Sequence, residues 1–341
     1  VRRLPVSNPT RRWDREIVEY DGGESPLVGV EVIEDQSQSI IAGNDSPDIG
    51  FDYSVNPYRG CMHACAYCYA RPTHEYLSLG AGTDFDRKIV VKRRAPDLLR
   101  EAFEKRSWRG ETVVFSGVTD CYQPLEAELG LTRACLQVCA LYKNPVGVIT
   151  KAATIERDID VLAELTRTAR VTVSISIPFI SAEKARALEP YAPSPERRFK
   201  VIERLASAGI KVGVSVSPVI PGLSDEEIPR VLERAASAGA THAFAVFLRL
   251  PGAVAKVFEE RVRIAFPDRA EKILRRVREG SGGKMYDSEF GKRGKGQGVY
   301  AGMIDTLFRT AAERHGLLAR EDWKKDEPTT FERPRAQLAL F

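Results

Sequence analysis

Cys61, Cys65 and Cys68 fall on one short stretch, Cys61-Met-His-Ala-Cys65-Ala-Tyr-Cys68, with three and then two residues between them. The 341-residue chain holds six cysteines, too few for a disulfide framework, and half of them lie within these eight positions. Thiolates are soft ligands, so three converging on one loop suit iron–sulfur or zinc rather than magnesium or calcium. A structural zinc needs a fourth ligand. His63 has too little chain on either side to turn back as that ligand, and no second cysteine pair with zinc-ribbon spacing follows. A [4Fe-4S] cluster held by three thiolates leaves one iron open, and an open iron is a place for chemistry. The duller alternative is a zinc knuckle or a chance grouping of cysteines.

The spacing Cys-x3-Cys-x-aromatic-Cys, with Tyr67 as the aromatic, resembles the motif of the radical S-adenosylmethionine (SAM) superfamily. The resemblance implies a [4Fe-4S] cluster on Cys61, Cys65 and Cys68, SAM chelating the fourth iron, and Tyr67 beside the cofactors. It also implies an external one-electron reductant of the flavodoxin or ferredoxin type. One electron would cleave SAM to methionine and a 5′-deoxyadenosyl radical, which abstracts hydrogen from substrate.

Composition sets the frame in which this loop must work. With 43% hydrophobic residues the chain can bury a sizeable core, as one large α/β domain with extensions. No run of about eighteen apolar residues occurs, so no membrane span is expected. The N-terminus is Arg-rich without an apolar signal region, and free thiols beside an oxygen-sensitive cluster point to the cytoplasm. A formal charge of +4 and a pI near 8.7 permit nucleic-acid binding without demanding it. The expected organisation is an N-terminal basic extension over residues 1–50, a core over 51–252 and a basic, helical C-terminal extension over 253–341. The arm carries Arg2, Arg3, Arg11, Arg12 and Arg15, either a solvated tail or a phosphate contact.

From residue 51 short β-branched runs alternate with amphipathic segments. Strands are expected at 51–56, 112–118, 146–151, 171–178, 211–220 and 241–250, and helices at 96–105, 131–142, 155–168, 194–208 and 224–238. Ser224 reads as a cap ahead of an acidic turn, and Gly209 and Gly239 end two helices. Six alternations predict parallel βα units in a partial (β/α)6 TIM-type barrel, with active residues at the C-terminal ends of the strands. The first strand runs into the cysteine loop, so the loop belongs at that mouth.

Each later strand end then offers something to a bound cofactor. In the fourth strand Thr172, Ser174 and Ser176 alternate with Val173, Ile175 and Ile177, giving a polar face that suits a ligand-filled lumen. The Ser174 and Ser176 hydroxyls suit a ribose or carboxylate, or else neighbouring backbone. Lys151 ends the third strand, where its ammonium can pair with the methionyl carboxylate; a plain surface lysine is the alternative. Ile220 is expected exposed on the rim after the fifth strand, and the resemblance gives it the adenine. The resemblance also sets Gly117 and Thr119 where the methionyl amino group is held. The same loop holds Asp120, Cys121, Tyr122 and Glu126. The weak S–H bond of Cys121 makes it a candidate hydrogen donor, with Tyr122 as a second; a small buried turn residue is the alternative reading of Cys121. Cys135 and Cys139, four apart on one helix, are expected in the core.

Tyr69, Ile89-Val-Val-Lys92, Thr119-Asp120, Thr150-Lys151 and Pro221-Gly-Leu-Ser-Asp225 together resemble the spore photoproduct lyase-like branch, often labelled DNA repair photolyases, over roughly residues 50–250. In that branch a cysteine near the end of strand two quenches the product radical. Gly117 occupies its place here, and Cys121 falls beyond Asp120 instead. The implied function is repair of a nucleic-acid base lesion; the alternative keeps the radical chemistry on a protein, peptide or small metabolite. A non-enzymatic protein with a structural metal site and a basic surface is the third reading. Between Arg261 and Lys295 eleven basic residues face five acidic ones, with Gly-rich loops around Met285-Tyr286, and this C-terminal basic region is either the nucleic-acid contact or a charged helix face with flexible loops. A last helix is expected at 301–315 and a mobile tail from Asp326.

Overall fold

The structure, a computed structural model, describes residues 29–319 and 328–334. The basic arm before residue 29 lies outside the described residues. The described residues begin with β1 (Glu31–Glu34), β2 (Ile41–Gly43), β3 (Tyr53–Val55) and β4 (Tyr58–Arg59). The cysteine loop and a 3-10 turn (Arg71–Leu77) follow, then α1 (Thr83–Arg87), β5 (Lys88–Val91) and α2 (Ala95–Glu104). Alternation then sets in with β6 (Val113–Phe115), α3 (Glu126–Leu129), α4 (Leu131–Leu141), β7 (Val146–Thr150), α5 (Ile159–Thr166) and β8 (Val171–Ser176). It continues through α6 (Ala182–Leu188), α7 (Pro195–Ser207), β9 (Val212–Val219), α8 (Ile228–Ser237) and β10 (His242–Phe247). Helices α9 (Val254–Ala265), α10 (Ala270–Glu279) and α11 (Gly298–Arg314) and the short β11 (Leu318–Ala319) complete it.

All six expected strands are present and run parallel in the order β3-β6-β7-β8-β9-β10. Antiparallel β2 is added at one edge and parallel β11 at the other, and these two edges do not pair, so the barrel stays open. A second sheet, β1-β5-β4, stands beside it and carries the strand that leads into the cysteines. The outer face of the main sheet is apolar: Val113, Phe115, Val146, Val148, Val173, Ile175, Val212, Val214 and Val216 are buried against the helices. The inner face is polar. Register aligns Ile149 with Ser174, Ser174 with Gly213 and Gly213 with His242, and one layer higher Ser176 with Ser215. Side chains alternate across a strand, so these residues line the lumen. Gly213 is a glycine for space: a Cβ there would stand 2.4 Å from the His242 imidazole, which crosses it to reach the Ser174 hydroxyl at 3.3 Å.

Helix ends follow ordinary rules. Ser194 caps α7 through the Arg197 N–H at 3.3 Å. Gly209 (φ +77°) and Gly239 (φ +93°) stop α7 and α8 in the left-handed region, as the sequence predicts. Ser224 does not cap α8; its hydroxyl accepts the Ile220 N–H at 2.8 Å, and a 3-10 turn (Asp225–Glu227) precedes the helix. The amphipathic α9 and α10 fall where the sequence reads most simply as a run of charge. The tail is the clearest correction. Residues 328–334 are pinned across the base of the barrel, with the Phe331 ring 5.7 Å from Phe103 and 6.1 Å from Tyr142. The Arg333 guanidinium donates to the Phe103, Lys105 and Trp108 carbonyls. Among the described residues no helix is long and apolar enough to cross a membrane.

Candidate radical SAM site

The cysteine loop is held from every side. Left-handed backbone at Ala64 (φ 55°) turns it, and short bonds from Ala64 N–H to Cys61 O and from Cys68 N–H to Cys65 O, each 3.2 Å, curl it on itself. Below, the Cys61 N–H donates to Phe85 O at 3.0 Å and the Ala66 N–H to Leu188 O at 2.9 Å. Gln123 bridges the loop to the turn after β6, accepting from Met62 N–H and donating to Gly60 O, both at 3.0 Å. The Thr119 hydroxyl donates to the same Gly60 carbonyl at 2.6 Å. Thr119 therefore braces the loop, and its hydroxyl is already used.

Two buried arginines set the loop against the barrel. Arg71, with no exposed surface, donates from Nε to Cys65 O at 3.0 Å, from one terminal nitrogen to Ala81 O and Gly82 O at 2.9 Å, and from the other to Asp86 at 2.9 Å. Arg198 joins Ser176 O, at the end of β8, to the Glu189 carboxylate, and that carboxylate accepts the Tyr67 hydroxyl. Tyr67 thus turns its polar end into the protein, while the Lys151 ammonium lies 5.7 Å from its ring centroid. Spacing along the sequence gave no sign of either arginine network; only the fold brings these residues under the cysteines.

Asp120 is the third tie. One carboxylate oxygen accepts the Thr150 hydroxyl at 2.6 Å and the Tyr122 N–H at 3.0 Å; the other accepts the Lys151 N–H at 2.8 Å and lies 3.4 Å from His63 Nδ1. Burial works to raise this carboxyl, but the hydrogen bond and charge of His63, with the Lys151 N–H and the Thr150 hydroxyl, hold it down at about 2. His63 is spent on Asp120, in keeping with its exclusion as a ligand.

The thiols meet the requirements of a cluster. Cys61 and Cys65 are buried and Cys68 half-buried. Burial pushes all three upward, and Cys61 is raised further by Asp120 and by the other two thiols. Lys151 pulls the other way on Cys65 and Cys68, and Arg71 on Cys68. Among the described residues no group of three or more His, Cys, Asp or Glu side chains is arranged to hold a metal ion. Three thiolates on one loop are nonetheless the soft donor set that an iron–sulfur cluster takes. Lys151 brings a cation to the thiols from the end of β7.

Several expected site residues fall elsewhere. Cys121 and Tyr122 have no exposed surface and belong to the core between sheet and helices, so the mouth presents neither side chain. Thr132 Oγ1 donates to Cys121 O at 2.6 Å, and the buried Tyr122 hydroxyl lies near Asp158 without a hydrogen bond of good geometry. Glu126 is also fully buried, accepting from Tyr58, Thr132 and Arg157, and serves structure. Ile220 is buried with Cys65 and Tyr67, not exposed on the rim, and its N–H goes to the Ser224 hydroxyl. Ser174 is engaged by His242 deep in the lumen, whereas Ser176 lies one layer nearer the mouth. Gly117 keeps its place at the end of β6: a Cβ would stand 2.8 Å from Ser54 Cβ, and its carbonyl accepts the Tyr69 hydroxyl at 2.8 Å. Cys135 and Cys139 are in the core, as expected.

Two groups at the mouth have unmet hydrogen bonds, the Ser217 hydroxyl on the inner face of β9 and Arg249 Nε just beyond β10. Asking what the sixth strand offers at its end, as for the others, would have found Arg249 in the sequence.

The profile of the Radical SAM superfamily matches residues 55–235, more than half of the chain, and the chain belongs to that superfamily. It uses, accordingly, a [4Fe-4S] cluster and SAM. An uncharacterized protein of Mycobacterium tuberculosis is 37% identical over 232 residues, covering 67% of this chain and 68% of that protein. One of Methanocaldococcus jannaschii is 30% identical over 198 residues, covering 58% of this chain and 71% of its own length. Among solved structures, spore photoproduct lyase complexed with dinucleoside spore photoproduct matches with a TM-score of 0.57 at 17% identity, over 84% of this chain and 80% of that one. A mutant of the lyase with bound AdoMet and dinucleoside spore photoproduct matches with a TM-score of 0.58 at 16% identity and the same coverage. At such identities the likeness is one of fold.

Proposed function

We propose that this radical SAM enzyme acts on a nucleic-acid base lesion, with the cluster on Cys61, Cys65 and Cys68 and Lys151 beside the methionyl carboxylate of SAM. When bound and reduced, the cluster supplies the electron that cleaves SAM and so provides the radical for hydrogen abstraction. The chain's own residues do the rest. Arg71, Gln123, Thr119 and Asp120 hold the loop, and Gly117 leaves room above Ser54. Ser176 and the unpartnered Ser217 hydroxyl line the lumen for polar groups of the cofactor or substrate.

One observation carries the nucleic-acid reading: the Gly-rich basic loop is tied to the end of β10 and packs on the side-chain cluster that contains Cys65. Gly294 O accepts the Phe247 N–H at 2.9 Å at the end of β10, and Met285 and Tyr286 pack against the cluster of side chains that contains Cys65 and Tyr67. Much of the charge seen in the sequence is neutralised locally, Arg276 by Glu279 at 2.8 Å and Lys292 by Glu289 at 2.7 Å. Arg278, Lys284 and Lys295 form no ion pair among the described residues and keep theirs for a phosphate backbone. With Cys121 and Tyr122 enclosed in the core, the half-exposed Tyr69 phenol on Gly117 is the better placed hydrogen donor. The free thiols suit a reducing cytoplasm, where a flavodoxin or ferredoxin type of reductant serves.

The test is SAM cleavage by the reconstituted, dithionite-reduced protein with and without UV-irradiated DNA. Deoxyadenosine that rises with damaged DNA supports the reading. Deoxyadenosine indifferent to DNA moves the substrate to a protein, peptide or small metabolite.

A further inference from the structure

Arg249 lies just past the end of β10, beside the end of β9, where the Leu248 N–H donates to Val219 O at 3.0 Å. Its guanidinium carbon stands 5.5 Å from the ring centroid of Tyr69, the residue after Cys68, and Tyr69 is fixed in turn on Gly117 O. The Arg249 Nε is buried without a hydrogen-bond partner, and among the described residues no carboxylate lies within ion-pair distance. The acid it acts on, Asp48, is already engaged by Arg293 Nε and by the Gly291 N–H, each at 2.6 Å. The contrast with Arg71 and Arg198 is plain, since each of those is bonded to carbonyls and to a carboxylate. An unmatched guanidinium N–H is costly to bury, and a bound oxyanion removes that cost. Tyr69 is 46% exposed, so the place is open from outside.

We propose that Arg249 is the anion subsite of the substrate, its fork of donors taking the non-bridging oxygens of one phosphodiester beside the base presented to the site. The proposal rests on the nucleic-acid reading above. A planar guanidinium matches phosphate in two-point contact, which a lysine does not. The carboxylate of SAM is a poorer claimant, because Lys151 already acts on Cys65 and Cys68, whereas Arg249 acts on Tyr69 and Asp48.

The test is fluorescence anisotropy with a short labelled single-stranded oligonucleotide and the full-length, anaerobically reconstituted protein over a salt series. Arg249→Gln weakens binding roughly ten- to a hundredfold and lowers the slope of log K against log salt by about 0.7, the loss of one charge-assisted phosphate contact. Arg249→Lys keeps the slope and loses part of the affinity. A methylphosphonate placed at each linkage in turn weakens wild-type binding most at one position, and that position becomes silent in Arg249→Gln. Iron content and circular dichroism confirm that the variants are folded. Wild-type slope and affinity in Arg249→Gln would overturn the subsite while the nucleic-acid reading stands. No oligonucleotide binding by the wild type would overturn both. Intact oligonucleotide binding with weakened SAM retention in equilibrium dialysis would make Arg249 a cofactor residue and overturn the phosphate assignment.

Discussion

Asp120→Asn is a severe change for one atom, because the Asp120 carboxylate accepts four donors and an amide can serve only half of them. The carboxyl is held at about 2 instead of its ordinary 3.8, and at ~1.4 kcal/mol per pH unit that is worth about 2–3 kcal/mol of folding stability at pH 7. The side chain is only 11% exposed, so little of this is lost to solvent screening. The amide nitrogen adds a cost of its own. It faces either the Tyr122 N–H or the Lys151 N–H, donor against donor, for about 1–3 kcal/mol more. The expected loss is therefore about 3–6 kcal/mol in urea unfolding at pH 7. The sign with pH follows from a depressed acid: its contribution is full above pH 3.8 and fades as pH falls towards 2, so the charge-dependent part of the gap closes over that window. A loss below about 0.5 kcal/mol at pH 7, or a gap that does not narrow in acid, would refute the view of Asp120 as the tie between the cysteine loop and β7.

Glu189→Gln leaves the Arg198 charge buried against a neutral partner and should cost about 3–5 kcal/mol in urea unfolding, with weaker retention of iron by the loop that Tyr67 anchors. A stable variant with full iron content would make that network ornamental. Phe331→Ala removes the ring docked between Phe103 and Tyr142; a loss of about 2 kcal/mol is expected, with faster amide exchange over residues 328–334. Unchanged exchange there would mean that the segment is held by its hydrogen bonds alone.

The barrel was legible because its signals are local. Each strand is a β-branched run of a few residues, each helix is amphipathic, and Gly209 and Gly239 mark two ends by conformations other residues resist. The cysteine loop was legible for the same reason, its thiols being neighbours in sequence. Pairings across long separations were not. Arg71 and Arg198 look like surface charges until the fold buries them, and Cys121 is held in the core by bonds from its N–H to the Ser116 hydroxyl and from the Thr132 hydroxyl to its carbonyl. A Pro-Gly turn signals exposure at Ile220, but the Ser224 hydroxyl folds this turn inward. The docked tail at 328–334 depends on one aromatic finding two others more than 180 residues away, which no window along the chain detects.

The central claim is that Cys61, Cys65 and Cys68 hold a cluster that cleaves SAM. Anaerobic reconstitution, reduction with dithionite and assay of 5′-deoxyadenosine compare the wild type with the triple substitution Cys61→Ala, Cys65→Ala, Cys68→Ala. The wild type should show the brown absorbance of the cluster and form 5′-deoxyadenosine, and the triple variant should lose both. Persistence of either in the variant, or no 5′-deoxyadenosine from a wild type with an intact reduced cluster, would contradict the account.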